Sequence, residues 1–220
     1  MSPRHSNSPL NPNSPLNSNL LLYARSRALP MTIAVLVAAA PGTAWCADWL
    51  LTRSDPGPRA RLPVLVLAPV LVAAAIGVGL YSHGDELDRT AVRPWWSRRG
   101  CHLLLLTALA AGLLAVAVPG EPQAYGAAAM ARNVLGAVGV TALGAALIGA
   151  RLSWLPMLVH TSAVFLAGRA EPGGAGAVWA WSVQPGAQRA AWWTAVALFA
   201  AGTCLYALRG ARPEGPGTRR

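Results

Sequence analysis

No lysine occurs among the 220 residues, so all eighteen basic side chains, and the net charge of +10, are arginine. Without lysine the chain cannot hold a G-x-x-x-x-G-K-[ST] phosphate loop or form a lysine Schiff base. Any ATP-driven work therefore needs another polypeptide's ATPase. Acids are scarcer still, at eight, and charged residues make up 12% of the chain, about half of what a soluble domain carries. The three cysteines, Cys46, Cys101 and Cys204, form no C-x-x-C pair, which excludes a zinc site of the common spacing and a disulfide framework. They read as small apolar helix residues. No paired glutamates, G-x-S-x-G elbow or spaced aspartate series is present, so hydrolysis within a membrane has no residues to work with and no enzyme activity is expected.

What the chain has in abundance is apolar sequence, 54% of its residues. The arginines flank the apolar runs, a pattern that orients membrane helices; nucleic acid is not expected as a partner, and the lipid bilayer is. The fold class expected is all-α: a polytopic membrane protein of about six transmembrane helices, with a short cytosolic coupling-type helix between the second and third. Residues 1–28 are a Pro/Asn/Ser-rich tail whose composition cannot bury enough apolar surface to order itself. Met31, which opens the first apolar run, is an alternative start. Residues 29–209 form the membrane domain and residues 210–220 a basic cytosolic tail.

The first run reaches Leu51 through Pro41 and Gly42, with Trp45 and Trp49 as anchors at the far interface. Later runs cover Leu62 to Tyr81, His102 to Val118, Ala124 to Ala150, Leu152 to Gly168 and Ala190 to Leu208. Six crossings leave both termini on one side. Twelve of the eighteen arginines then fall on the side of the termini and six on the other. That bias sets both termini in the cytoplasm of a multi-pass protein of the plasma membrane.

The segment between the second and third runs carries the most information. Asp85, Glu86 and Asp88 stand where a helix N-terminus favours negative charge, Arg89 and Arg93 follow toward its other end, and Pro94 stops it. A polar helix of this kind is a docking element, or else a solvated charged loop. The His83, Asp85, Glu86 and Asp88 cluster matches neither an EF-hand loop nor an H-E-x-x-H helix, so no metal and no cofactor are expected. Within the apolar runs, His160 beside Thr161 and Ser162, and the pair Arg132 and Asn133, are substrate-path candidates, because burying ionisable groups in a membrane is costly. The bland alternative for His160 is a bond between helices, and for Arg132 and Asn133 a lipid phosphate or a neighbouring helix. Gly136, Gly139, Gly144 and Gly149 would admit a close helix, although the general Ala/Gly enrichment explains them equally well. Trp179, Trp181 and the run Gln184-Pro-Gly186 suggest a turn at the outer interface or partly inserted, which needs protein or water contacts for its backbone.

Four stretches resemble ABC-2 type permeases, and more narrowly the small actinobacterial ABC transporter integral membrane proteins. They are Asp85-Glu-Leu-Asp-Arg-Thr-Ala-Val-Arg-Pro-Trp-Trp96, Arg132-Asn-Val-Leu-Gly136, Ala150-Arg-Leu-Ser-Trp-Leu-Pro156 and Trp179-Ala-Trp-Ser-Val-Gln-Pro-Gly186. The resemblance implies a permease subunit, acting as an exporter, that pairs with itself or with a second permease subunit. It also implies an ABC ATPase subunit in trans, docked through Asp85, Glu86, Asp88, Arg89 and Arg93. The alternative class is a non-transport integral membrane protein such as an immunity or regulatory factor.

Overall fold

A computed structural model describes residues 29–52, 60–80, 96–118, 125–167 and 174–212. The segment with Asp85, Glu86, Asp88, Arg89 and Arg93, the tail 1–28 and the last eight residues lie outside the described residues, so the expected coupling helix does too.

The described chain is helical. Helix α1 spans Leu29–Leu51, α2 Leu62–Gly79, α3 Trp96–Ala117, α4 Ala127–Leu147, α5 Leu155–Leu166 and α6 Arg189–Arg209. All but α5 are long and apolar enough to cross a membrane. At 18 residues or more each reaches about 27 Å, near the ~30 Å hydrocarbon thickness. Helix α5 has 12 residues, about 18 Å. The expected fifth spanning helix is thus cut short, and the physical cause is local. Gly149 adopts φ 106°, and Ala150–Leu152 close a 3-10 turn that Ser153 locks by donating its hydroxyl to the Ala150 carbonyl at 2.7 Å. Apolar residues at the head of the run are spent on that turn. Helix α3, by contrast, already includes Trp96, ahead of its apolar run, and Arg99 within it is buried against Gly210 just beyond α6.

Contacts between helix ends give the direction of each crossing. Asn133 near the start of α4 touches Leu65 near the start of α2, while the far ends of both helices meet around Ser153. Tyr206 near the end of α6 donates its hydroxyl to the Leu80 carbonyl at 3.0 Å, and Arg212 donates its backbone N–H to the Ala145 carbonyl at 2.9 Å. So α2, α4 and α6 run one way. Helices α1 and α3, whose C-terminal ends lie together around Asp48 and Val118, run the other way. Two parallel neighbours, α4 and α6, require the chain between them to return across the bundle. It does so through short α5 and, after it, a four-residue helical turn at Gly176–Trp179 and a 3-10 turn at Trp181–Val183. Leu29, Leu80, Trp96 and Arg212 consequently share one end of the bundle.

Helix α4 is the centre. Its Gly139 meets the main chain of α6, where a Cβ would stand 2.5 Å from the Phe199 nitrogen, and a Cβ on Gly202 would overlap the Gly139 carbonyl. Close backbone approach of this kind supplies the dispersion contact that holds helices together when lipid removes the hydrophobic drive. Gly144 fits against the backbone of Ser153 in the same way. At its C-terminal end α4 is capped from a distance, since Arg212 also donates Nη1 to the Leu147 carbonyl at 3.0 Å.

Candidate functional site

The adjacent pair Arg132 and Asn133 of α4 and His160 of α5 converge on one short segment, 181–185. Arg132 lies one and a half turns into α4 and is 0% exposed. Its guanidinium donates Nη1 to the Pro185 carbonyl at 2.8 Å and Nη2 to the Gln184 carbonyl at 2.7 Å. Nε and Nη2 also reach Asn133 Oδ1, at 3.2 and 3.1 Å. Four of the five guanidinium N–H groups are thereby used. Asn133 spends its amide in turn, donating Nδ2 to the Ser182 carbonyl at 2.7 Å and to the Leu65 carbonyl at 2.9 Å.

The Leu65 bond has a specific cause. In a helix the carbonyl of residue 65 accepts from the N–H of residue 69, and residue 69 is proline, which has none. Pro69 orphans a buried carbonyl and Asn133 takes the missing place. The carbonyls of 182, 184 and 185 are likewise outside regular helix bonding, in a stretch of irregular backbone set among the apolar helices. Such backbone is tolerated at membrane depth only where protein satisfies it. Arg132 and Asn133 together supply a donor to each of those three carbonyls.

Trp181 completes the cluster. Its indole, 2% exposed, lies against Gly136 of α4, where any Cβ would collide with the ring. The other partner is His160 of α5, whose ring stacks at 5.7 Å between centroids and 13° between planes. His160 Nε2 is buried and has no hydrogen-bond partner among the described residues, and the same holds for the Ser182 and Thr161 hydroxyls. Gln184, 1% exposed, sends Nε2 toward the Gly176 carbonyl at 3.4 Å.

Asp48, at the end of α1, is the one carboxylate among the described residues, and it is exposed. Among the described residues the charge of Arg132 is therefore met by carbonyl dipoles and not by an anion. Among the described residues no group of three His, Cys, Asp or Glu side chains gathers to hold a metal. The arrangement offers a positive charge and a turn whose carbonyls are held by Arg132 and Asn133. Among the described residues it has no nucleophile paired with a base.

Sequence reasoning singled out the pair Arg132 and Asn133, His160, and the 179–186 segment separately. It missed that they form one cluster, and it missed Ser182 and Gln184 as partners. The signal that could have joined two of them was Pro69, whose position four residues after Leu65 announces an unpaired carbonyl needing a donor from another helix. No protein-family model matches the chain, and comparison with curated proteins and with solved structures finds no match. The fold and the cluster together define an all-helical integral membrane protein.

Proposed function

We propose that this chain is the membrane-spanning subunit of an ATP-driven exporter of the ABC-2 type, working with a separate ATPase. The reading also takes a second copy or a second permease subunit as its partner in the membrane. The observation that carries it is the shared bundle end of Leu29, Leu80, Trp96 and Arg212. The segment with Asp85, Glu86, Asp88, Arg89 and Arg93 leaves and rejoins the bundle at the end where both arginine-bearing tails emerge. The twelve-to-six distribution of arginines favours the cytoplasm for that end. An ATPase works there, and an acid-then-arginine segment gives it a charged element to grip.

Reversing Asp85, Glu86 and Asp88 together to Arg tests this directly. Like charges would then face the ATPase groove, and loss of the charge-assisted bonds should weaken association by about 2–5 kcal/mol. The expected result is loss of ATPase co-purification from a chain that is still inserted and folded. Undiminished association would remove the docking role. It would favour the second reading, a non-transport membrane protein such as an immunity or regulatory factor. One observation already supports that reading: the amide of Asn133 and four of the Arg132 N–H groups are turned to the protein's own oxygens and leave little for a passing substrate.

A further inference from the structure

At the opposite end from the tails, α1 packs loosely on α3. Between them runs an apolar groove of about 670 Å³, walled by Ala40, Pro41 and Ala44 on one side and Leu109, Gly112 and Val116 on the other. Along α3 it extends from Ala108 to Ala117. That is about 14 Å at 1.5 Å per residue, close to the ~15 Å that one leaflet contributes to the hydrocarbon. A second cavity of about 400 Å³ adjoins the groove, and Ala44 and Ala117 line both. In this second cavity the wall chemistry changes to Asp48, Arg61 and the indole of Trp45. Trp45 is largely exposed, as a side chain at the headgroup level should be.

We propose that the two cavities form one binding site for a phospholipid with a phosphoethanolamine headgroup. One acyl chain fills the groove, the phosphate meets the Arg61 guanidinium, and the ammonium meets the Asp48 carboxylate. The order of walls matches the order of groups along such a lipid, from apolar chain to charged head. The headgroup choice follows from Asp48. A phosphoglycerol head would bring no cation to it, and a phosphocholine head has no N–H to donate, whereas a primary ammonium brings both charge and donors. A lipid held only as bulk annulus would need neither charge. The site stands independently of any ATPase.

The experiment takes the full chain, purified in detergent and equilibrated with equal amounts of phosphatidylethanolamine, phosphatidylcholine and phosphatidylglycerol of the same acyl chains. Retained lipid is counted by native mass spectrometry. Phosphatidylethanolamine should be retained about three- to tenfold over the other two, the worth of one charge-assisted bond at a partly open site. Asp48→Asn should keep lipid but erase the preference. Gly112→Leu should lower retention of all three. Nothing beyond its own helix lies within 4 Å of a Cβ placed at 112, so the leucine side chain starts into open space, and an unchanged melting temperature separates a plugged groove from a misfolded chain. Equal retention of the three lipids by the native chain would overturn the proposal. So would a preference that survives both Asp48→Asn and Gly112→Leu.

Discussion

Helices α1 and α2 each carry a proline in mid-course, and the two prolines have opposite surroundings. Pro69 of α2 is buried, and the carbonyl it orphans is met by Asn133 of α4. Pro41 of α1 is exposed, on the wall of a groove, in a helix whose most apolar stretch is 17% buried, against 67% for α4. The same residue type therefore fastens one helix to its neighbour and leaves the other on the lipid side. The α2–α4–α6 layer is specified by polar bonds and glycine contacts, while among the described residues α1 packs on α2 and α3 chiefly through apolar side chains. In lipid, apolar contact alone gives little net attraction, and specificity falls to small residues and hydrogen bonds.

The contrast is tested most severely at Arg132. Arg132→Leu removes four hydrogen bonds and takes the guanidinium donors from the buried Gln184 carbonyl and Asn133 Oδ1, at about 1–3 kcal/mol for each, while the Pro185 carbonyl keeps the Gln188 N–H at 3.2 Å. A loss of about 3 kcal/mol or more is expected in SDS-induced unfolding from mixed micelles. An Arg132→Leu variant as stable as the parent would mean that the turn at 181–185 stands without its clamp.

Next comes a matched pair of glycines. Gly139→Ala forces apart the backbones of α4 and α6 and should cost about 1–3 kcal/mol. Gly42→Ala in α1 meets nothing within 4 Å and should be neutral or stabilising by up to about 1 kcal/mol. Equal effects at the two positions, read in the same unfolding assay, would erase the difference between the layers.

A smaller effect sharpens the proline comparison. In a double-mutant cycle, Pro69→Ala returns an N–H to the Leu65 carbonyl, so Asn133→Ala should cost less in that background. The coupling expected is about 0.6–1.7 kcal/mol, the range of bonds between membrane helices. Additive costs would show that the bond to the Leu65 carbonyl does not answer to Pro69.

The smallest change concerns His160. Its ring stacks on Trp181 while Nε2 lacks a partner among the described residues, so His160→Phe should leave stability within about 0.5 kcal/mol, and His160→Ala should lose about 0.5–1.5 kcal/mol of stacking. A marked loss with phenylalanine would assign the imidazole a polar task that the stack does not explain.

Much of this was legible in the residues, for reasons that differ by element. Apolar length located α1, α2, α4 and α6 closely, because bilayer thickness sets it. It misjudged α5, since hydropathy does not distinguish helix from the turn that Gly149 and Ser153 impose on Ala150–Leu152. It also left Arg98 and Arg99 outside the third run as a flank, whereas both lie within α3 and Arg99 is buried beside Gly210, far along the chain. Arg132 was conspicuous as an arginine in an apolar run. Its partners were not, because they are main-chain carbonyls, which every residue possesses and no sequence pattern marks. Gly136 was one of several glycines until the distant Trp181 ring gave it a reason.

The Arg132 clamp also sets an order of events during synthesis. The carbonyl that Nη2 binds belongs to a residue 52 positions downstream. At about 5–20 residues per second, roughly 3–10 s separate the emergence of the guanidinium from that of Gln184. During that interval α4 carries an arginine whose transfer to the bilayer costs about 2.5–3.5 kcal/mol on insertion scales, with its main protein partner not yet made. Helix α4 is thus a provisional resident until the ribosome has passed residue 185. A chain that stops before that point keeps a guanidinium that lacks the Gln184 and Pro185 carbonyls.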